Sequence, residues 1–443
     1  MKILLFQTLD YLYSIGGAHR ANRMLLEQLA ESGQECEAIV PSYECEKNYH
    51  AFLEKKGISN HMLQETEREY LFCVQKVDVH VTKGKFNLYT VFFYEVERFQ
   101  PDIILVSEDH SGLLLEAAME TFCRVVYISH TKDTLPFGDF FDNQRMTQLL
   151  EKVNGIITVS KYVKNYISKW TNLEAKVLYF PSYGEEPFPL LGYYGNSYIT
   201  IINPSGVKGI DIFLQVAKKL PELSFAAVPT WSTSKEELEE LKKVPNIDIL
   251  EADDNVNVIY EKTRILLVPS LWGESFGQVV VEAMLRGIPV IASQIGGLTE
   301  AIQGCDYTIP VEPIRDYKKD INNISFPEPI VPKQDVRLWI QAIRELEDSE
   351  RYQELSKLSR EKALEFVRVN GITKFIDYFQ TIIAQQMIED ATENLREKVN
   401  EKQDEIEGLS NMPPERMDEL LKNLKRNERR ERRNGRGPKE GND

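Results

Sequence analysis

Pro269-Ser-Leu-Trp-Gly-Glu-Ser-Phe-Gly-Gln-Val-Val-Val-Glu-Ala-Met-Leu-Arg-Gly-Ile-Pro-Val290 decides how this chain is read. The apolar run Ile265–Val268 leads into it and, stopped by Pro269 and Ser270, reads as a buried parallel strand. Gly273 and Gly277 allow a tight loop, a helix is expected from about Gln278 to Arg286, and Gly287 ends it. A second buried strand, Val290–Ala292, follows. The loop therefore opens at the carboxyl end of a strand, where open α/β sheets hold their ligands. Glu274 lies in the loop and Glu282 on the second helical turn, with seven residues between them. Unpaired N–H groups at the helix start can take an anion. Carboxylates repel phosphate but accept strong hydrogen bonds from hydroxyls. Phosphate at the helix start, with one Glu toward each end, suits a sugar–diphosphate–ribose ligand.

Working outward, the chain has a second nucleotide-type unit at its start. Lys2–Phe6 reads as a strand, Gly16-Gly17-Ala18-His19-Arg20 as a loop, Ala21–Ser32 as a helix and Cys36–Val40 as a strand. Neither GxGxxG nor a Walker A pattern occurs. At 443 residues the chain can hold two α/β domains with full cores. Its 42% apolar and 28% charged content is that of a globular protein, and no run of eighteen apolar residues predicts a membrane helix. Met1-Lys2-Ile3-Leu4-Leu5-Phe6 is too short for a signal peptide. Five scattered cysteines without a CxxC point to a reduced compartment and away from a zinc site. The net charge of −16 argues against nucleic-acid binding. The expected location is cytoplasmic, with at most peripheral contact at the inner membrane surface.

The Pro269–Val290 stretch resembles the signature of retaining glycosyltransferases of family 4, which have the GT-B fold. That pattern is Pro-Ser, a Glu, Phe-Gly, a second Glu, Ala and Gly-x-Pro-Val, and each part stands here. Weaker echoes run from Met1 to about Gln385. The resemblance implies an α/β chain of two Rossmann-like, doubly wound domains facing a cleft. Residues 1–184 would form the acceptor-side domain, 185–197 a linker, 198–372 the nucleotide-sugar domain and 373–387 a helix crossing back. A charged helical or disordered tail, 388–443, is added.

The resemblance also assigns residues. The family's first Gly-Gly loop lies under the donor diphosphate, a role carried to Gly16 and Gly17, whose bare backbone lets phosphate approach. His19 packs, caps the helix or touches the ligand. The polar segment from Tyr43 to Tyr94 is expected to hold a strand pair, Cys73–Val81 and Phe86–Thr90, in the acceptor-facing part. After the buried strand Ile103–Val106, Asp109 and His110 compete for an acceptor role. A His often follows the next strand, Val125–Ile128, against the donor sugar, which makes His130 the catalytic candidate of this half. Ser160 is expected to cap a helix. In the second half the loop Asn203–Gly209 follows strand Tyr198–Ile202. The family carries an Arg and then a Lys before Gly here, both on the diphosphate. Lys208-Gly209 matches, whereas Asn203 stands in place of the Arg and cannot make its bidentate contact. Trp231 and Glu251, at strand ends, would line the base pocket. Gly296-Gly297 resembles the second Gly-Gly loop, whose backbone approaches the donor sugar.

Beyond Met387 the composition changes. Glu389–Glu407 is charged and helical in character, Pro413-Pro414 breaks it, and Met417, Leu420, Leu421 and Leu424 recur at helical spacing before the basic run Lys425–Arg436. This reads as a solvated tail, or as a docking peptide for a protein partner; its basic end could touch anionic lipid. The expected activity is sugar transfer from a nucleotide-diphosphate sugar, the co-substrate, to a hydroxyl of a lipid, polysaccharide or natural product. Retention comes from the resemblance. Glu274, with the N–H groups of Ser275, Phe276 and Gly277, would hold the sugar; Glu282 the ribose; Lys208 and Gly209 the diphosphate. No His/Asp metal cluster stands out, so a metal-independent site without a further cofactor is expected. Alternatives are a phosphorylase, which needs a pyridoxal lysine site, an epimerase, whose Glu–Arg pattern is absent, and a catalytically degenerate scaffold subunit.

Overall fold

The computed structural model describes residues 1–13, 16–42, 46–107, 111–139, 142–184, 186–305, 307–318, 328–410, 412–419, 422 and 426. Within the first part of the chain lie β1 (Lys2–Gln7), β2 (Glu35–Pro41), β3 (Gln64–Glu65), β4 (Glu69–Val74), β5 (Val77–Thr82), β6 (Ile103–Ser107), β7 (Arg124–Ser129), β8 (Gly155–Thr158) and β9 (Lys176–Val177). They form one sheet in the order β3-β4-β5-β2-β1-β6-β7-β8-β9. Its centre is parallel: Ile3 to Phe6 of β1 are buried between β2 and β6, as a two-sided apolar run demands. The second sheet holds β10 (Tyr198–Ile202), β11 (Ser224–Val228), β12 (Ile247–Ile249), β13 (Thr263–Val268), β14 (Val290–Ser293) and β15 (Thr308–Ile309), in the order β12-β11-β10-β13-β14-β15. All of its pairings are parallel. Each sheet is doubly wound, with the strand order reversing between β1 and β6 and between β10 and β13. Loops that leave such a switch point in opposite directions open a crevice at the strands' carboxyl ends.

The helices used below are α1 (Gly17–Glu31), α2 (Glu46–Lys55), α3 (Lys85–Phe99), α4 (Leu113–Met119), α5 (Gln144–Leu150), α6 (Lys161–Trp170), α7 (Ile210–Lys219), α8 (Lys235–Lys242), α9 (Asn257–Tyr260), α10 (Gln278–Leu285), α11 (Leu298–Ala301), α12 (Arg337–Glu345), α13 (Ser349–Val369) and α14 (Thr373–Ser410). Two expectations need correction. Phe86–Thr90 is not a strand but the opening of α3. Its β-branched and aromatic residues are poor helix formers, yet tertiary packing prevails: Phe92 stacks on Phe6 with centroids 4.1 Å apart, and Leu88 and Val91 are buried. Cys73–Val81 is not one strand either. Gln75 and Lys76 both have positive φ and turn β4 back onto β5 as a two-residue hairpin. In addition, α1 starts at Gly17, four residues before the expected position, and α14 runs on to Ser410 without a break at Met387.

Met1–Gln380 forms one compact unit and Thr381–Asp443 another. In the first, Phe375 near the start of α14 meets Phe180 edge-on, 5.1 Å between centroids. In the second, the charged segment 389–407 is helical within α14, and residues 414–419 resume helix after Pro413. Leu420, Leu421 and Leu424 lie outside the described residues, as does most of Lys425–Arg436. No helix among the described residues is long and apolar enough to cross a membrane. Cys36, Cys73 and Cys123 are free.

Candidate active site

Three helices begin at a left-handed glycine directly after a strand-end loop. Gly16 precedes α1, Gly209 precedes α7 and Gly277 precedes α10, and in none does a side chain cap the helix. Ile210 N–H at the start of α7 donates to the Ser205 carbonyl at 3.1 Å and Val280 N–H in α10 to the Gly277 carbonyl at 2.9 Å; the other N–H groups of these first turns can meet another acceptor, and the helix dipole favours an anion there. A Cβ on Gly17 would sit 2.9 Å from the Gln278 amide oxygen, so the first residue of α1 meets the first residue of α10. A Cβ on Gly16 would lie 3.7 Å from the Trp231 indole nitrogen. Gly209 leaves no alternative: at φ +78 a side chain is strained, and its Cβ would collide with the Pro269 carbonyl oxygen. The loop carrying Lys208 is thereby pressed onto the loop carrying Glu274.

Lys208 Nζ stands 2.5 Å from Glu274 Oε1 and 5.1 Å from the centre of the Trp272 ring. Ser270 Oγ also donates to Glu274 Oε1, at 2.6 Å. Burial alone pushes the Glu274 carboxyl up, but Lys208 and these bonds outweigh it and hold it below its ordinary value. Glu274 is therefore an ionised acceptor at neutral pH. Gly297 N–H donates to the Glu274 carbonyl at 2.7 Å, and a Cβ on Gly296 would be 2.5 Å from that same oxygen. A Cβ on Gly297 would collide with the Ser275 carbonyl. The second Gly-Gly loop thus lies flat against Glu274–Phe276, and Phe276 is buried.

Glu282 is also buried, and the opposite sheet's domain reaches it. Arg20 Nη1 of α1 donates to Glu282 Oε1 at 2.9 Å, and Tyr260 Oη donates to Oε2 at 3.2 Å. Burial, then the Glu282 charge, pushes the Tyr260 hydroxyl well above its ordinary pKa, so it stays a donor. Arg286, one turn on, donates to the Glu282 carbonyl at 2.9 Å and to the Tyr183 carbonyl at 3.4 Å. Ser160, which caps α6 by accepting from Val163 N–H, donates its hydroxyl to the Ser275 carbonyl. Lys56 pairs with Asp254 at 2.8 Å. Both acidic residues of the signature are thus turned inward, one against Lys208 and one against the helix that Gly16 opens.

His130 follows β7 and is buried. Its Nε2 lies 2.6 Å from Asn22 Oδ1. Asn22 Nδ2 donates to Gln7 Oε1 at 2.9 Å and to Ser107 Oγ at 2.8 Å, so Oδ1 is the acceptor and His130 carries its proton on Nε2. Burial, then the neighbouring His19, lowers His130 to about 3. The imidazole is neutral at working pH and keeps Nδ1 as an acceptor. His19 is buried on α1.

Asn203 has a left-handed backbone at φ 59, a conformation Asn tolerates better than Arg. Its Oδ1 accepts from Ser232 Oγ at 2.7 Å and from Ser232 N–H at 3.2 Å. It braces the loop after β11 and brings no charge. Trp231 is half exposed beside Gly16, and Glu251 is exposed past β12. Asp109 and His110 lie outside the described residues. Among those described, one trio of potential metal ligands comes together, Glu37, His80 and Glu95, under α3. Arg98 already pairs with Glu95 and, at 2.5 Å, with Glu37, while His80 bonds Glu69 at 2.8 Å. That cluster ties α3 to the sheet. Arg20, Tyr260 and Asn22 were not singled out from sequence. Arg20 could have been, since it sits on the first turn of a helix that starts at Gly17.

The sequence pattern described as Glycosyltransferase Family 4 matches residues 15–181, and that described as Glycosyl transferases group 1 matches residues 197–325. A 42.6 kDa protein in the cps region of Klebsiella pneumoniae is 25% identical over 362 residues, 74% of this chain and 93% of its own. D-inositol 3-phosphate glycosyltransferase of Mycobacterium leprae is 34% identical over 107 residues, 22% of this chain and 25% of that one. Among solved structures, HepE from Anabaena, in complex with UDP-glucose, superposes with a TM-score of 0.59 at 16% identity, covering 88% of this chain and all of that one. A glycosyltransferase from Rickettsia africae gives 0.58 at 15%, covering 86% and 98%. These likenesses establish the fold as GT-B. With the two matched patterns lying on the two sheets and their shared crevice, the chain belongs to the family 4, or group 1, glycosyltransferases.

Proposed function

We propose that the chain moves a sugar from a nucleotide-diphosphate sugar to an acceptor hydroxyl, with retention at the anomeric carbon and without a metal ion. The observation that carries this is the pairing of Glu274 with Lys208 and of Glu282 with Arg20 around three uncapped helix starts. In this reading Glu282 takes the ribose hydroxyls. Glu274 and the N–H groups of Ser275, Phe276 and Gly277 take the sugar. The neutral His130 presents Nδ1 to a sugar hydroxyl. The bond between the anomeric carbon and the β-phosphate oxygen breaks, and the acceptor oxygen bonds to that carbon on the same face. The acceptor's proton passes to the departing phosphate. The charge developing on that phosphate meets Lys208 and the start of α10. A site closed over these groups also excludes water and so limits donor hydrolysis. The free thiols of Cys36, Cys73 and Cys123 fit a reducing, cytoplasmic setting.

HepE was solved with UDP-glucose and starch synthase IV of Arabidopsis thaliana with ADP. A thermal-shift screen of UDP-, ADP- and GDP-linked sugars therefore tests the reading, because a ligand that binds only the folded chain raises its melting temperature. The expected result is a shift with one nucleotide family, undiminished by EDTA. No shift with any of them would count against the assignment.

A further inference from the structure

Resting on the nucleotide-sugar reading, we propose that Arg20 is the second cation of the diphosphate site and that it exchanges partners when the donor binds. Among the described residues each signature carboxylate of the site is paired with one cation, Glu274 with Lys208 and Glu282 with Arg20, while the nearby Arg286 bonds Asn257 and the Tyr183 and Glu282 carbonyls. A nucleoside diphosphate ester brings two further negative charges. Asn203, at the entrance of the same loop as Lys208, brings none to meet them and commits its carbonyl to Ser232. Lys208, paired with Glu274, supplies one cation to meet them. Arg20 is a second, and the ribose hydroxyls of the ligand can take over its partner.

The geometry favours such an exchange. Arg20 stands on the first turn of α1, and the first residue of α1 touches the first residue of α10. Its guanidinium therefore bridges the first turn of α1 and Glu282 on the second turn of α10, about one turn from a helix start where an anion is favoured. The Arg20 side chain is 25% exposed against 2% for Glu282, so it is the member of the pair that a ligand reaches. Ribose hydroxyls donate to Glu282 as Arg20 does, and Tyr260 keeps the carboxylate bonded throughout. Once released, a planar guanidinium offers parallel N–H donors to two phosphate oxygens. The same contact keeps the buried Glu282 carboxylate from lacking a charged partner.

The test compares a nucleoside diphosphate with its nucleoside, using UDP and uridine, ADP and adenosine, and GDP and guanosine. Diphosphates are titrated by calorimetry, and nucleosides by ligand-observed NMR, which reads millimolar binding. For the base the wild-type protein prefers, Arg20→Gln should weaken the diphosphate about tenfold or more, the size of a lost charge-assisted bond. The nucleoside should bind unchanged or tighter, because Glu282 no longer has to give up Arg20. Arg20→Lys keeps a positive charge and should stay closer to wild type than Arg20→Gln for the diphosphate. Equal weakening of diphosphate and nucleoside would overturn the inference, leaving Arg20 a brace for Glu282, and so would no weakening of either. Absence of any diphosphate binding by the wild-type protein would instead bring down the nucleotide-sugar reading itself, and this inference with it.

Discussion

Burial holds the His130 imidazole at a pKa of about 3, while an unfolded histidine titrates near its ordinary value of about 6.5. The sign follows from proton counting. Below pH 6.5 the unfolded chain binds a proton that the folded chain refuses, so stability is full above that pH and falls as the pH drops toward 3. The slope is about 1.4 kcal/mol per pH unit. His130→Gln can still donate to Asn22 and carries no such linkage. Its unfolding free energy should fall less steeply than wild type between pH 6 and 4.5 in urea titrations. Parallel slopes would mean that His130 is not held neutral. Glu282 is a buried carboxylate with two donors. Glu282→Gln keeps the shape but cannot be charged, and a nucleoside should bind it about tenfold or more weakly by ligand-observed NMR. Unchanged nucleoside affinity would remove the ribose role. Glu274, Glu282 and Lys208 were legible in sequence because each belongs to a short, local pattern. Arg20 was not, because its partner lies 262 positions away and the start of its helix was placed four residues late.

At the scale of elements, strands with buried apolar runs such as Ile103–Val106 and Ile265–Val268 were read close to where they lie. Two-sided burial leaves little room for polar residues, so the signal is strong. The strand pair expected over Cys73–Val81 and Phe86–Thr90 fails for the converse reason. Its aromatic and β-branched residues suit a strand locally, but α3 gains more by packing Phe92 onto Phe6. The two-residue turn at Gln75-Lys76 carries neither Gly nor Asn to announce it. A different element, the glycine-started helix, supports a direct test. Gly209→Ala places a side chain at φ +78 and against the Pro269 carbonyl, so the loop bearing Lys208 must shift. Donor affinity should drop and the melting temperature fall by several degrees. Gly195→Ala, a position with open space around it, should leave both alone. Indistinguishable behaviour of the two variants would contradict the proposed tight apposition of the loops.

At the scale of the whole molecule, every described site residue lies within Met1–Gln380. A chain ended after Met387 keeps Phe375 and Phe379 on their buried contacts and should retain donor turnover within about threefold and melt within a few degrees of the full chain. Loss of turnover would give the charged tail a part in catalysis. The two sheets meet through Arg20–Glu282, Ser160–Ser275 and Lys56–Asp254, contacts between residues more than a hundred positions apart. No local pattern encodes such pairs, which is why the crevice was expected from the fold while its cross-links were not. The most direct measurement is release of nucleoside diphosphate from the donor that the shift screen identifies, by wild type and by Lys208→Ala. Loss of a preorganised cation at the departing phosphate costs about 3 kcal/mol or more, so the variant should turn over at least roughly a hundredfold more slowly. Equal rates would contradict a diphosphate site in this crevice.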